Sequence, residues 1–127
     1  MLVHPDLQRV EHAHAASSQG RCTVGVIAAG WPGDITKSVT EMAKHSSPDI
    51  AFAILDCGNV DGAGAAAEEL RAALSDRVTV AHVAGSLDEV GWGAAMKTLI
   101  TMTDSPYFAA LDTSTVAHAP VMDELLA

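Results

Sequence analysis

Basic residues are scarce in this sequence: seven Lys and Arg stand against sixteen Asp and Glu, a formal net charge of -9 at pH 7. That scarcity excludes a nucleic-acid partner, because phosphate contacts need clustered cations and the few present are scattered. Aromatic residues make up only 4% of the chain, and there are two cysteines, Cys22 and Cys57. Two thiols without CxxC spacing cannot assemble a structural metal site, and they read as ordinary reduced side chains. No apolar run approaches the roughly 20 residues of a membrane span. The opening MLVHPDLQRVEHAH lacks the basic-then-apolar pattern of a leader, so the expectation is a cytoplasmic chain without a membrane span.

What is present suits one hydrophobic core. The chain has 127 residues, 49% of them apolar and 18% charged, which is the size and composition of a single folded domain. Residues 22–29, CTVGVIAA, form a continuous apolar, β-branched run, the pattern of a strand buried on both faces. Gly30-Trp-Pro-Gly33 breaks it. Asp34 is placed to cap a helix whose apolar face is Ile35, Val39, Met42 and Ala43, ended by Ser46-Ser-Pro48.

The unit then repeats. Residues 50–55 read as a second buried strand, 56–62 as a turn, and Ala66, Leu70, Ala73 and Leu74 as a helix face. Residues 78–83 give a third strand, 85–93 a loop, Met96, Leu99 and Ile100 another helix face, and 107–111 a fourth strand ending at Asp112. Val121, Leu125 and Leu126 open a last helix. Alternation of this kind predicts an α/β three-layer sandwich around a mainly parallel four-stranded sheet, with ligands at the carboxyl ends of the strands. Residues 1–20 read as an N-terminal arm or helix carrying Leu7 and Val10, and 21–127 as the α/β domain.

The run Ile54-Leu-Asp-Cys-Gly-Asn-Val-Asp-Gly62 is the most informative: a buried strand ends in an acid, turns on a glycine, and meets a second acid before a helix. It resembles the VDNGSTDGT signature of family 2 glycosyltransferases. Val90-Gly-Trp-Gly-Ala-Ala-Met-Lys97 is similar to that family's GxxxAxN helix start, and residues 107–114 fall where the family keeps its metal-binding acidic motif. The resemblance runs from about Cys22 to the C-terminus and implies the Rossmann-like, nucleotide-binding half of a GT-A fold. It implies a nucleotide-diphosphate sugar as ligand, held by Asp56, Gly58 and Asp61, with Mg²⁺ or Mn²⁺ on the diphosphate and Asp112 as the metal-motif acid.

The sequence also departs from that pattern. Ser114 stands where the second acid of the Asp-x-Asp motif belongs, and the acceptor half with its catalytic base would begin where this sequence stops. No Tyr-Asn pair follows the first strand. The implied activity is therefore nucleotide-sugar binding by a domain incomplete for transfer on its own, and the alternative is a non-catalytic, oligomeric binding or structural module. Apolar surface left uncovered by a missing half points to a homo-oligomer.

Residue type alone leaves blander roles open. Asp61 serves equally as a helix cap, Asp112 as a cap or turn residue, and Asp56 as a turn residue. Trp31 and Trp92 read as packing residues. The six histidines, His4, His12, His14, His45, His82 and His118, show no ligand spacing and read as surface or capping residues rather than a metal site. There is no paired acid after the first strand of the kind a phospho-acceptor receiver needs. Gly58, Gly62 and Gly64 do not form a dinucleotide fingerprint.

Overall fold

A computed structural model describes residues 11–12 and 20–127. Leu7, Val10 and the polar stretch 17–19 lie outside the described residues. Five strands form one sheet: β1 (Glu11–His12), β2 (Cys22–Ala28), β3 (Ile50–Cys57), β4 (Val78–Val83) and β5 (Tyr107–Ala110), in the order β1-β4-β3-β2-β5. The last four are parallel, as the strand-helix alternation predicts. The sheet is one strand wider than expected, because β1 pairs antiparallel with β4, Glu11 opposite His82. A two-residue pairing carries no periodicity by which a sequence could announce it.

The helices are α1 (Pro32–Lys44), α2 (Ala63–Leu74), α3 (Leu87–Val90), α4 (Trp92–Thr101) and α5 (Val121–Leu125). Every residue of β2 and β3 is buried, as strands covered on both faces must be. Alternate side chains feed two cores. On one face Val24, Val26, Phe52 and Ile54 meet Ile35 and Val39 of α1, Ala67 and Leu70 of α2, and Met122 of α5. On the other, Ile27, Ala53 and Leu55 meet Ala95 and Leu99 of α4. The molecule is thus a three-layer, Rossmann-like α/β sandwich.

Local chemistry sets several boundaries differently from expectation. Asp34 does not cap α1: the helix starts at Pro32, a favoured first position, after Trp31 in a left-handed conformation, and Asp34 sits in its first turn. Within the segment read as loop 85–93, the short α3 is nucleated by a capping box, with Ser86 Oγ accepting from Glu89 N–H and Glu89 Oε1 from Ser86 N–H. Cys22 opens β2 and Cys57 closes β3; both are free and buried.

Arg77, just before β4, ties the bottom of the sheet to α1. Its guanidinium donates to the carbonyls of Ile50 at 3.1 Å, Ala43 at 3.3 Å and Ser47 at 3.1 Å, and lies 5.6 Å from the Phe52 ring centroid. Three divergent acceptors suit a planar fork and not a point charge. Arg77→Lys is expected to lower stability by about 2 kcal/mol, read as a lower urea midpoint at unchanged slope.

The order of crossovers positions the site. Through α1 and then α2 the chain steps outward from β2 to β3 to β4 along one face. Through α3 and α4 it crosses back over the other face and lays β5 on the far side of β2. Counting only the parallel strands, the order is third, second, first, fourth. The reversal falls between β2 and β5, and in open α/β sheets the crevice above such a reversal is where ligands bind.

Candidate functional site

A cleft of about 400 Å³ opens at that reversal. Its floor is the α4-side face of β2, at Gly25, Ile27 and Ala29; Leu111, Asp112 and Thr113 after β5 form one wall, and Leu87, Trp92 and Met96 the other. Gly25 leaves room for the Phe108 ring, which a Cβ there would collide with. Trp92 is 60% exposed, and Trp31 at the β2–α1 junction is 75% exposed, so neither packs in a core as residue type had suggested.

Asp112 lies in this cleft, at the end of β5. Its Oδ1 accepts from the Ser114 N–H at 3.0 Å and the Ser114 hydroxyl at 2.9 Å, and these bonds hold the exposed carboxyl below the usual carboxylate range. Ser114, which the glycosyltransferase resemblance sets where a second acid would stand, is thus bonded to Asp112. One carboxylate with an oxygen already twice bonded, flanked by hydroxyls, is a poor set for a hard divalent cation, which seeks six or more oxygen ligands. Among the described residues no group of three or more His, Cys, Asp or Glu could hold a metal ion. The residues around Asp112 therefore do not fit a resident Mg²⁺ or Mn²⁺.

Asp56, near the end of β3, and Gly58 and Asp61, in the turn after it, do not line the cleft. Asp56 shares its strand face with Ile54, so its side chain is on the α1–α2 side of the sheet, whereas the cleft lies on the α4 side. It is 3% exposed, and both oxygens are engaged: Oδ1 accepts the Asn59 N–H at 3.0 Å, and Oδ2 is 2.9 Å from His82 Nδ1. Gly58 has φ +78 and packs against Gly85 and Ser86. Asp61 is exposed, with φ 54, beside Gly30. The cap of α2 is Gly62 and not Asp61; the Gly64 N–H is met instead by Asn59 Oδ1 at 2.9 Å.

The sequence reading missed the partner of Asp56. His82 on β4 is the register partner of Asp56 on β3, and its second ring nitrogen lies 2.7 Å from Glu68 Oε2 on α2. Arg71 pairs with the other oxygen of Glu68, Nη2 to Oε1, at 2.7 Å. A neutral imidazole has one donor nitrogen and one acceptor, and carboxylates only accept, so two carboxylate partners require the imidazolium. Burial works against that charge, but the hydrogen bonds to Asp56 and Glu68 outweigh it and hold His82 above its ordinary pKa. Glu68 is likewise opposed by burial, yet held below the ordinary range by His82 and Arg71. His82 is therefore a structural ion-pair residue, not a surface or capping one. Neighbouring Cys57, pushed up to about 11 by burial and then by the Asp56 charge, stays a protonated thiol.

Neither the protein-family models, nor the curated proteins, nor the solved structures compared with this chain gave a match.

Proposed function

We propose that this chain is a nucleotide-diphosphate-sugar-binding domain of the glycosyltransferase type, incomplete for sugar transfer by itself. The observation that carries this reading is the cleft above the β2–β5 reversal, of a volume ordinary for small ligands and with Asp112 in its wall. The three stretches resembling family 2 glycosyltransferases support it, each lying at the carboxyl end of the sheet. Within it, Asp112 hydrogen-bonds the ligand, and Asp56 acts at one remove, by fixing the turn that carries Gly58 and Asp61.

Isothermal titration with UDP, GDP and dTDP, with and without Mn²⁺, tests the reading. Saturable binding by at least one nucleotide is expected, weakened roughly tenfold or more in Asp112→Ala, the size of one hydrogen bond to a charged group. No heat with any of them would overturn it.

A second reading, a non-catalytic oligomeric module, draws on the edge of the sheet. β5 is four residues, Tyr-Phe-Ala-Ala, without a charge to discourage pairing; among the described residues no strand covers its outer side, and Tyr107 is 60% exposed. On this reading light scattering after size exclusion gives a dimer that binds no nucleotide. No helix among the described residues is long and apolar enough to cross a membrane.

A further inference from the structure

The charge of the cleft bears on which end of a nucleotide it receives. Among the described residues its lining contains no Lys, Arg or His and one carboxylate, Asp112, held charged by its hydrogen bonds from Ser114. A diphosphate placed here would face Asp112 with no cation opposite it, and Asp112 cannot recruit a resident divalent ion unaided. Apart from Thr113 beside it, the side chains of the rest of the lining are apolar, chiefly Ile27, Leu87, Met96, Leu111 and the indole of Trp92. An exposed tryptophan in the wall of a cleft is a ready platform for a flat ring, since every nucleobase offers a π-face. Asp112 has Oδ1 occupied by Ser114, and Oδ2 is the oxygen available to accept an N–H or O–H from such a ring or its ribose.

We infer that the cleft takes the uncharged nucleoside end of its ligand, base against Trp92 and a polar edge at Asp112, with the phosphates directed outward and no divalent ion required. The inference rests on the nucleotide-binding reading and reverses the placement that the metal-motif resemblance implies for Asp112. It gives Trp92 the task of setting affinity through ring stacking.

The test uses the full chain carrying Trp31→Phe, a change at an exposed position that leaves Trp92 as the only tryptophan. Its emission is followed while uridine, guanosine, thymidine, UDP and inorganic pyrophosphate are added, each in EDTA and again with Mn²⁺. Saturable quenching by at least one nucleoside in EDTA is expected, with no effect of Mn²⁺-pyrophosphate alone. By calorimetry on the native background, Trp92→Ala should weaken nucleoside binding roughly tenfold or more, and Trp92→Phe should restore most of it. Quenching or heat that needs both diphosphate and Mn²⁺, with no response to any nucleoside, would overturn the inference and leave nucleotide binding standing. Silence with all five ligands, and with GDP and dTDP as well, would overturn both.

Discussion

His82→Ala is expected to destabilise the fold by roughly 3 kcal/mol, the size of loss that follows when a buried carboxylate is deprived of its cationic partner. Asp56 is 3% exposed and would retain only the Asn59 N–H at 3.0 Å. Glu68 would keep Arg71, and its one-third exposed side chain suffers less. Among the described residues the charged groups bonded to the ring are Asp56 from β3 and Glu68 from α2, with Arg71 one step beyond.

The same network gives stability a pH dependence of definite sign. His82 has a folded pKa above its unfolded value of about 6.5. Its contribution is therefore complete below that value and is lost as pH rises through the folded pKa. Glu68 is shifted the other way: its contribution is present above its unfolded value and is lost as pH falls through the lowered folded one. Urea denaturation from pH 4 to 9 should show the chain losing stability on the alkaline side, while His82→Ala is flat there. A native profile that is equally flat above pH 7 would refute the imidazolium assignment.

Gly64→Ala should cost about 3 kcal/mol, at the upper end of what overpacking does, because the obstruction is polar and fixed. A Cβ at this position would stand 2.5 Å from Asp56 Oδ2, 2.8 Å from its Cγ and 2.9 Å from Asn59 Oδ1. Relief would mean displacing a carboxylate that His82 and Asn59 already hold. In a double-mutant cycle, Gly64→Ala added to Asp56→Ala should cost less than it does alone, since the nearest obstructing group, the Asp56 carboxylate, is gone. Simple additivity of the two changes would show that the helix moves instead of the acid.

The architecture was legible because β2 and β3 are buried on both faces and their apolar runs are unbroken, while α1, α2 and α4 carry apolar residues at helical spacing. Two-residue and one-turn elements, β1 and α3, were not legible as elements. For α3 the Ser86–Glu89 capping box was present in the sequence as a signal. The candidate site was legible only in part. Asp112 could be placed at a strand end and does line the cleft. Asp56 could be placed at a strand end too, but whether its carboxylate meets a ligand or another side chain depends on strand register. That register sets it beside His82, 26 residues further on. The two tryptophans misled because residue type speaks for burial on average, and here both lie exposed beyond the carboxyl ends of the strands.

The pairing of Cys22 with Tyr107 joins the first parallel strand of the sheet to the last. Strands β2, β3 and β4, by contrast, are stitched by neighbouring segments and can associate while the remainder is still being made. During synthesis, then, a three-stranded unit with α1 and α2 is available early, whereas the wall of the cleft made by Leu111, Asp112 and Thr113 waits for those residues to emerge and for β5 to find β2. The cleft above the β2–β5 reversal is thus completed late, and a nascent chain stalled before that point would have most of its core but lack that wall.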